Sequence, residues 1–460
     1  MFKVKNYCLR RRIPNNYWLR LLFTKNRYSV QHRLILNTYK LFIVTVFLFS
    51  SVAASAQTSV YNDNIRSIKL YRGADQTSFP VITLLSGDVL QLDFDDLDTR
   101  IKNYYYTYEL RNADWSPTLL RPFEYIQGFQ NNRITTYRNS SLSTTHYVHY
   151  EALLPDKNCY PTKSGNYLLK VFLDNDTSKV VFTKRFIVVN NQSKVAAQVQ
   201  QPYNASLFRT GQKLQIFVQT DNRVRALSPN DIKVAVLQNN NWQTSLFLER
   251  PTIYRGNYYE YSDEGITGML AGKEFRWLDM RSLRLMSDRM LRLENRADSV
   301  NVYVKPEANR GGEGYIYYRD MNGSYTVETL EGLNPFWQGD YAFVRFTFTP
   351  QGKRPIEGSD VYIFGELTNY AADTSGRMNF NEATGTYEKT LFLKQGFYNY
   401  LYATKPVNAS GPIDFSQTEG NYWSTENNYI ILVYYRPFGA RADEVIGFTS
   451  LNSIFQRAGL

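Results

Sequence analysis

Apolar and polar residues alternate over short segments along most of the chain, and Gly, Asn, Asp and Pro separate these segments. The segments are rich in Val, Ile, Tyr, Phe and Thr, which favour strands. Because successive side chains of a strand point to opposite faces, this alternation is typical of antiparallel sheets with one buried face. The predicted strands are 89–94, 104–110, 167–173, 180–189, 213–219, 231–237, 300–305, 342–349, 361–365 and 430–436. The predicted fold class is therefore all-β, with tandem immunoglobulin-like antiparallel β-sandwich domains.

Polar breaks in this pattern suggest domain boundaries, namely the Gln-containing stretch 190–203, the stretch 306–314 with its glycine-rich part 309–314, and the stretch 332–339. Each intervening unit has the size of an immunoglobulin-like sandwich. Segment 279–295 mixes apolar periods of two and 3.6, so its fold stays open. The predicted organisation is a signal peptide at 1–56, an N-terminal immunoglobulin-like domain at 57–192, a second β-sandwich at 198–305, a linker and hairpin at 306–339, and a C-terminal immunoglobulin-like domain at 340–455.

The first 56 residues have the order of a secretory signal: basic residues, then an apolar run at 41–49, then small residues. We expect cleavage between Ala56 and Gln57. Ten of the 53 basic residues lie in this leader, so the rest of the chain is nearly neutral and does not favour nucleic-acid binding. The apolar run is too short to span a bilayer, and Gln57 stands where a lipoprotein would have Cys, so we expect no direct membrane anchor.

Few residues suggest chemistry. His146 and His149 are three apart in a predicted strand and should point to opposite faces, so they should not share a metal. The acidic run 93–98 lacks the glycine and distal Glu of a calcium loop, and we expect a solvated strand end. Cys159 is the single cysteine after the leader, and we expect a buried, inert thiol. We therefore expect no catalytic residues, no cofactor, no metal and no enzyme.

Aromatic residues are abundant, with 37 Tyr, 28 Phe and 6 Trp. Most should build sandwich cores and cross-strand pairs. Exposed tyrosines also suit contacts with a sugar or a protein, because they combine rigid apolar area with a hydroxyl.

Three C-terminal segments, 361–370, 387–393 and 396–402, resemble early-set immunoglobulin-like modules that bind glycogen and starch. Tyr370 stands where these modules often have a sugar-binding tryptophan. This resemblance implies the fold and supports an alternative function, an exported carbohydrate-binding protein. A polysaccharide-degrading enzyme with a sugar module is a weaker third hypothesis.

A longer resemblance extends from about residue 62 to 455. It is carried by LDFDDL at 92–97, NADW at 112–115, EYIQGF at 124–129, SGNYLLKV at 164–171, FRWLDMRSL at 275–283, EGNYW at 419–423 and YYR at 434–436. Together these segments resemble the plug protein family of the type IX secretion system of Bacteroidetes. Leu110 and Arg111 depart from the His-Cys pair of many members.

The resemblance implies a non-catalytic periplasmic protein that seals the periplasmic opening of the giant outer-membrane β-barrel translocon, its partner. We predict that the glycine-rich loop from Arg310 to Tyr315 and the turn at Tyr370 contact this partner.

Overall fold

Buried and exposed side chains alternate along the strands, as the alternation of apolar and polar residues predicts. A computed structural model of the protein describes residue 60, residues 62–407 and residues 412–455. Strands form nearly all the regular structure of this part, which confirms the all-β sandwich fold. Its helices are one α-helix, Glu264–Thr267, and the 3-10 helices Pro122–Glu124, Pro229–Asp231, Gln351–Lys353 and Glu366–Thr368. None of the helices in the described ranges has the length and apolar character needed to cross a membrane.

The predicted signal peptide 1–56 and its cleavage site between Ala56 and Gln57 lie outside the described residues. The described residues belong to one compact unit.

The first sandwich is built from consecutive strands. They are β1 (Ile65–Arg72), β2 (Val81–Thr83), β3 (Leu90–Asp96), β4 (Tyr104–Arg111), β5 (Ile126–Gly128), β6 (Asn132–Arg133), β7 (Thr136–Asn139), β8 (Val148–Leu154), β9 (Cys159–Pro161), β10 (Gly165–Leu173) and β11 (Val180–Val189). One sheet has the order β1-β3-β8-β7 and the facing sheet the order β2-β11-β10-β4-β6, while β5 pairs with β9. Strand β4 shows the alternation, since Tyr104, Tyr106, Tyr108 and Leu110 are buried in the core between the sheets.

The second and third sandwiches share the rest of the chain. The next strands are β12 (Ser193–Gln200), β13 (Gly211–Thr220), β14 (Ile232–Gln238), β15 (Asn241–Leu248), β16 (Ile253–Arg255), β17 (Tyr258–Tyr261) and β18 (Gly268–Leu270). After them come β19 (Arg276–Asp279), β20 (Met290–Asn295), β21 (Val300–Val304), β22 (Glu307–Ala308), β23 (Tyr325–Val327), β24 (Tyr341–Thr349), β25 (Ser359–Phe364), β26 (Asn379–Asn381), β27 (Thr386–Lys394), β28 (Gly396–Pro406), β29 (Asn428–Tyr435) and β30 (Glu444–Asn452).

The second sandwich pairs the sheet β12-β13-β17-β16, with β18 on β13, with the sheet β15-β14-β29-β30. The third sandwich pairs the sheet β19-β28-β23, with β25 on β28, with the sheet β20-β21-β24-β27-β26, with β22 on β24.

These pairings differ from the predicted contiguous boundaries between 198–305 and 340–455. Strand β14 hydrogen-bonds to β29, with Val234 opposite Val433, so the chain returns to the second sandwich after building the third. Strands β19 to β21, predicted in the second domain, belong to the third sandwich. A strand pair about two hundred residues apart produces no recognisable pattern in the local sequence. Polar breaks therefore predict loops, but they do not predict which sandwich each strand joins. Segment 279–295 is no helix, because β19 ends at Asp279 and β20 begins at Met290.

The first and second sandwiches meet through an apolar cluster. Strand β14 serves two cores, since Val234 and Val236 face the second sandwich while Ala235 and Leu237 face the first. The cluster comprises Phe79, Val81, Ala113, Trp115, Ile187 and Val189 of the first sandwich and Ala235, Leu237, Ile430, Leu432, Tyr434 and Val445 of the second.

Candidate functional site

Arg310, a predicted contact residue, is held in a buried ion cluster. Its Nε lies 2.6 Å from Glu419 Oε2, and its Nη1 donates to the hydroxyl of Tyr318 at 2.8 Å. Arg276 on β19 shares the same carboxylate at 3.0 Å. Burial opposes ionisation of Glu419, but the guanidinium groups of Arg276 and Arg310 lower its pKa to about 2. Arg310 therefore anchors the start of its loop to the third sandwich.

Tyr315, at the other end of this loop, is anchored as well. Its hydroxyl donates to the Glu274 carboxylate, and its ring stacks on Tyr422 with centroids 4.3 Å apart. Exposed apolar side chains follow directly, since Ile316 is 75% and Tyr317 is 51% exposed. The loop thus has fixed ends, and the two residues directly after it present apolar groups to solvent.

Tyr370, the third predicted contact residue, is half-buried. It follows the 3-10 helix Glu366–Thr368 with a left-handed φ of 54°, and its ring lies edge-on to Phe364 with centroids 5.7 Å apart. Burial raises the pKa of its hydroxyl above the ordinary value. The ring is therefore not the open stacking platform that a sugar-binding module would present.

The acidic run 93–98 was expected to be a solvated strand end, and this was wrong. Asp93, Asp95 and Asp96 all lie in β3, of which Asp96 is the last residue, and each is at most 3% exposed. Asp95 forms an ion pair with Lys394 of β27 and accepts a hydrogen bond from the hydroxyl of Tyr341 at 2.6 Å. This pairing was missed because Lys394 lies 299 residues further along the chain.

A second ion pair, between a buried ammonium and a half-buried carboxylate, also joins the first and third sandwiches. Lys69 Nζ of β1 lies 2.7 Å from Glu366 Oε2 and 4.2 Å from the centroid of the Tyr325 ring. Lys69 and Lys394 are each about 1% exposed, and burial lowers the pKa of both ammonium groups despite their carboxylate partners. The two junctions of the first sandwich are thus of different kinds, one apolar and one ionic.

The two histidines and the cysteine lie in the first sandwich and not in the loop from Arg310 to Tyr315, which is called the contact loop below. His146 is exposed, while His149 is buried in β8 with Nδ1 2.8 Å from Asp95 Oδ1, so the two do not meet. Cys159 is fully buried, and burial raises the pKa of its thiol to about 12, which keeps the thiol protonated and unreactive.

Comparison with known proteins shows which family and which solved structures this chain is similar to. The family model "Type 9 secretion system plug protein 1st domain" matches residues 65–190, the span of the first sandwich. A crystal structure of a hypothetical protein from Parabacteroides merdae ATCC 43184 superimposes with a TM-score of 0.82 at 30% identity, covering 86% of this chain and 99% of that one.

A biofilm associated protein B domain aligns over 86% of this chain and 88% of its own, at 10% identity and a TM-score of 0.16, too low to support an argument. No curated protein sequence matches the chain. The near full-length agreement with the Parabacteroides structure and the match over the first sandwich lead to one assignment: the chain belongs to the type 9 secretion system plug protein family.

Proposed function

We propose that this protein is a non-catalytic periplasmic plug that seals the periplasmic opening of the giant outer-membrane β-barrel translocon of type IX secretion. The observation that carries the proposal is the match of the first sandwich to the plug domain model. The two junctions support it, because they fasten this sandwich to the rest of the chain by buried contacts.

Rigid junctions suit a seal. A plug that bends between its domains would leave gaps, whereas buried ion pairs resist separation because opening them would leave charges without partners. The pairs of Lys69 with Glu366 and Lys394 with Asp95 join strands β1 and β3 to the third sandwich in this way.

The loop that begins at Arg310 supplies a proposed contact surface. Ile316 and Tyr317 are the exposed apolar residues beside it, and the anchored side chains of Arg310 and Tyr315 keep them in place. Exposed apolar groups held by a rigid base are typical of protein contact sites. Contact of Arg310, Tyr315 and Tyr370 themselves with the translocon stays a prediction.

Export to the periplasm is part of the proposal. It requires cleavage of the leader between Ala56 and Gln57 and release of the protein without a lipid. N-terminal sequencing of the protein from a periplasmic fraction should begin at Gln57, whereas an acylated or full-length form in the membrane would contradict this.

Deletion of the gene tests the seal. An unplugged translocon should admit large antibiotics that the outer membrane normally excludes, so the deletion strain should become sensitive to vancomycin. The sensitivity should disappear when the translocon gene is also deleted. Unchanged sensitivity combined with slower growth on one glycan would overturn the plug and favour a sugar-binding protein.

Complementation tests the contact loop. Replacing Ile316 and Tyr317 together by Asp should leave the protein folded and the deletion strain sensitive to vancomycin, because charges replace the apolar contact. The control is Leu285→Asp, since Leu285 is 74% exposed but lies outside residues 310–317, the loop and the two residues after it. If both versions restore resistance equally, the loop is not the contact surface.

A further inference from the structure

Two carboxylates face each other on the buried sheet of the first sandwich. Asp93 of β3 is directly opposite Glu151 of β8, an arrangement in which like charges destabilise a pair of strands. Within the described residues, neither carboxylate lies within ion-pair distance of a Lys or Arg. Asp93 is 3% exposed and accepts hydrogen bonds from Tyr71 and Gln91, while Glu151 is half-buried. Lys69, opposite Asp93 on β1, and Lys394 act on Asp93 through their charge, but each forms its ion pair with another carboxylate, Glu366 or Asp95.

His149 points a ring nitrogen into this region. Its Nδ1 is held 2.8 Å from Asp95 Oδ1, and Asp95 is itself fixed by Lys394 and Tyr341. The other nitrogen, Nε2, is buried without a hydrogen-bond partner and lies 3.4 Å from Asp93 Oδ1. His149 as a whole is only 2% exposed. Metal-binding histidines are commonly oriented in this way, with a carboxylate on the nitrogen that does not bind the ion.

The three donor groups are spaced for one ion. One ligand atom each from Asp93, His149 and Glu151 lies within 4.8 Å of the others. Donors around a tetrahedral zinc ion lie about 3.4 Å apart, so a small rotation of the flexible Glu151 side chain would close the set. A divalent cation would also reduce the repulsion between the facing carboxylates of Asp93 and Glu151.

A surface cleft adjoins one of the three donors, the half-buried Glu151. This cleft of about 320 Å³ is lined by Gln91, Thr136 and Leu153. An ion could reach the half-buried Glu151 from this cleft and then the deeper donors.

We infer that Asp93, His149 and Glu151 form a site for a divalent transition-metal ion, with one imidazole nitrogen and two carboxylate oxygens as ligands. A mixed nitrogen and oxygen set suits Zn²⁺. The ion would link β3 and β8 beneath the third sandwich and stabilise the sheet that carries the ionic junction. This site is independent of the proposed plug function.

The test uses the protein from Gln57 to Leu460 after dialysis against EDTA. Calorimetric titration with ZnCl₂ should show one ion bound per chain, and saturating Zn²⁺ should raise the thermal midpoint by a few degrees because it binds the folded state. Co²⁺ in place of Zn²⁺ should give the visible absorption of a low-coordinate site.

Matched variants decide whether these residues hold the ion. Glu151→Gln keeps the size of the side chain and should weaken Zn²⁺ binding at least tenfold. Glu249→Gln makes the same change at an exposed carboxylate of the second sandwich and should leave binding unchanged. Zn²⁺ binding that Glu151→Gln does not weaken would assign the ion to other carboxylates and overturn the inference.

The alternative to a bound metal ion is a second proton on the imidazole ring of His149. If the dialysed protein binds no Zn²⁺ and nitrogen NMR shows both ring nitrogens of His149 protonated, the imidazolium itself bridges Asp93 and Asp95. That result would also overturn the metal site.

Discussion

The first sandwich meets the second through apolar side chains and the third through buried charges. At the apolar junction Trp115 packs in one cluster with Leu237 and Leu432. At the ionic junction Asp95 pairs with Lys394 on the opposite side of the same sandwich. The two sheets of the first sandwich are therefore attached to their neighbours by different kinds of contact, apolar packing on one side and ion pairs on the other.

The two junctions should differ in how much stability the protein loses when a single side chain is substituted. Apolar burial contributes in proportion to area and has little directional preference, so a lost side chain costs its own share plus the cavity that it leaves. A buried ion pair gives little net stability when complete, but it penalises loss of one partner heavily. We therefore expect the ionic junction to be the more fragile of the two to single substitutions, and the more demanding of correct alignment.

Lys394→Met should have the largest effect. It leaves Asp95 charged and buried without its main partner, so we expect the free energy of unfolding to fall by about 3–5 kcal/mol. Urea unfolding followed by tryptophan fluorescence measures the loss. The control is Lys389→Met on the same strand, where Lys389 forms no buried ion pair and donates to the carbonyl of Thr374. A loss below about 1 kcal/mol for Lys394→Met would show that the ionic junction is dispensable.

Leu237→Ala tests the apolar junction. Leu237 is fully buried against the first sandwich, and the truncation should cost about 2–4 kcal/mol from lost burial and an unfilled cavity. Leu227→Ala serves as the control, because Leu227 is 78% exposed and its truncation should change little. If Leu237→Ala proves more damaging than Lys394→Met in the same urea experiment, the ranking of the two junctions is reversed.

Asp320, which accepts a hydrogen bond from the backbone N–H of Asn322 at 2.7 Å, should show the clearest pH dependence. Burial raises the pKa of Asp320 to about 7, and the neighbouring carboxylates of Glu426 and Glu274 act in the same direction. The folded state then binds a proton that the unfolded chain, with its ordinary carboxyl pKa, has released. The contribution of Asp320 is therefore favourable below about pH 4 and declines as pH rises to about 7, by at most about 1.4 kcal/mol per pH unit.

Asp320→Asn removes this dependence. The stability of the wild type relative to Asp320→Asn should fall between pH 5 and pH 7, as measured by urea midpoints at each pH. Asp298→Asn, at an exposed carboxylate, should run parallel to the wild type over the same range. Parallel curves for Asp320→Asn as well would mean that Asp320 is ionised throughout.

Local periodicity was enough to predict the sandwiches but not their junctions. Strand β4 is recognisable from its own residues, because its alternating tyrosines follow the period of a strand. The pairing of Val234 with Val433 and of Asp95 with Lys394 joins residues about 200 and 300 positions apart. No short-range pattern encodes such contacts, so the acidic run was misjudged as solvated.

The contact loop shows the same limit. Its glycine-rich composition marked residues 309–314 as a loop, which the structure also has. The anchoring of Arg310 by Glu419 and of Tyr315 by Tyr422 depends on a segment more than one hundred residues later. Sequence reasoning could identify these side chains as notable but could not find their internal partners.

The smallest expected effect is the coupling between the two junctions. Leu237 and Lys394 act on opposite sheets of the first sandwich, separated by its core, and share no partner in the described part of the chain. Substitutions at such distant sites usually add to within about 0.5 kcal/mol. The double variant Leu237→Ala with Lys394→Met should therefore lose the sum of the two single losses in urea unfolding. Coupling above about 1 kcal/mol would mean that the core of the first sandwich transmits strain from one junction to the other, and the two attachments would then have to be treated as one.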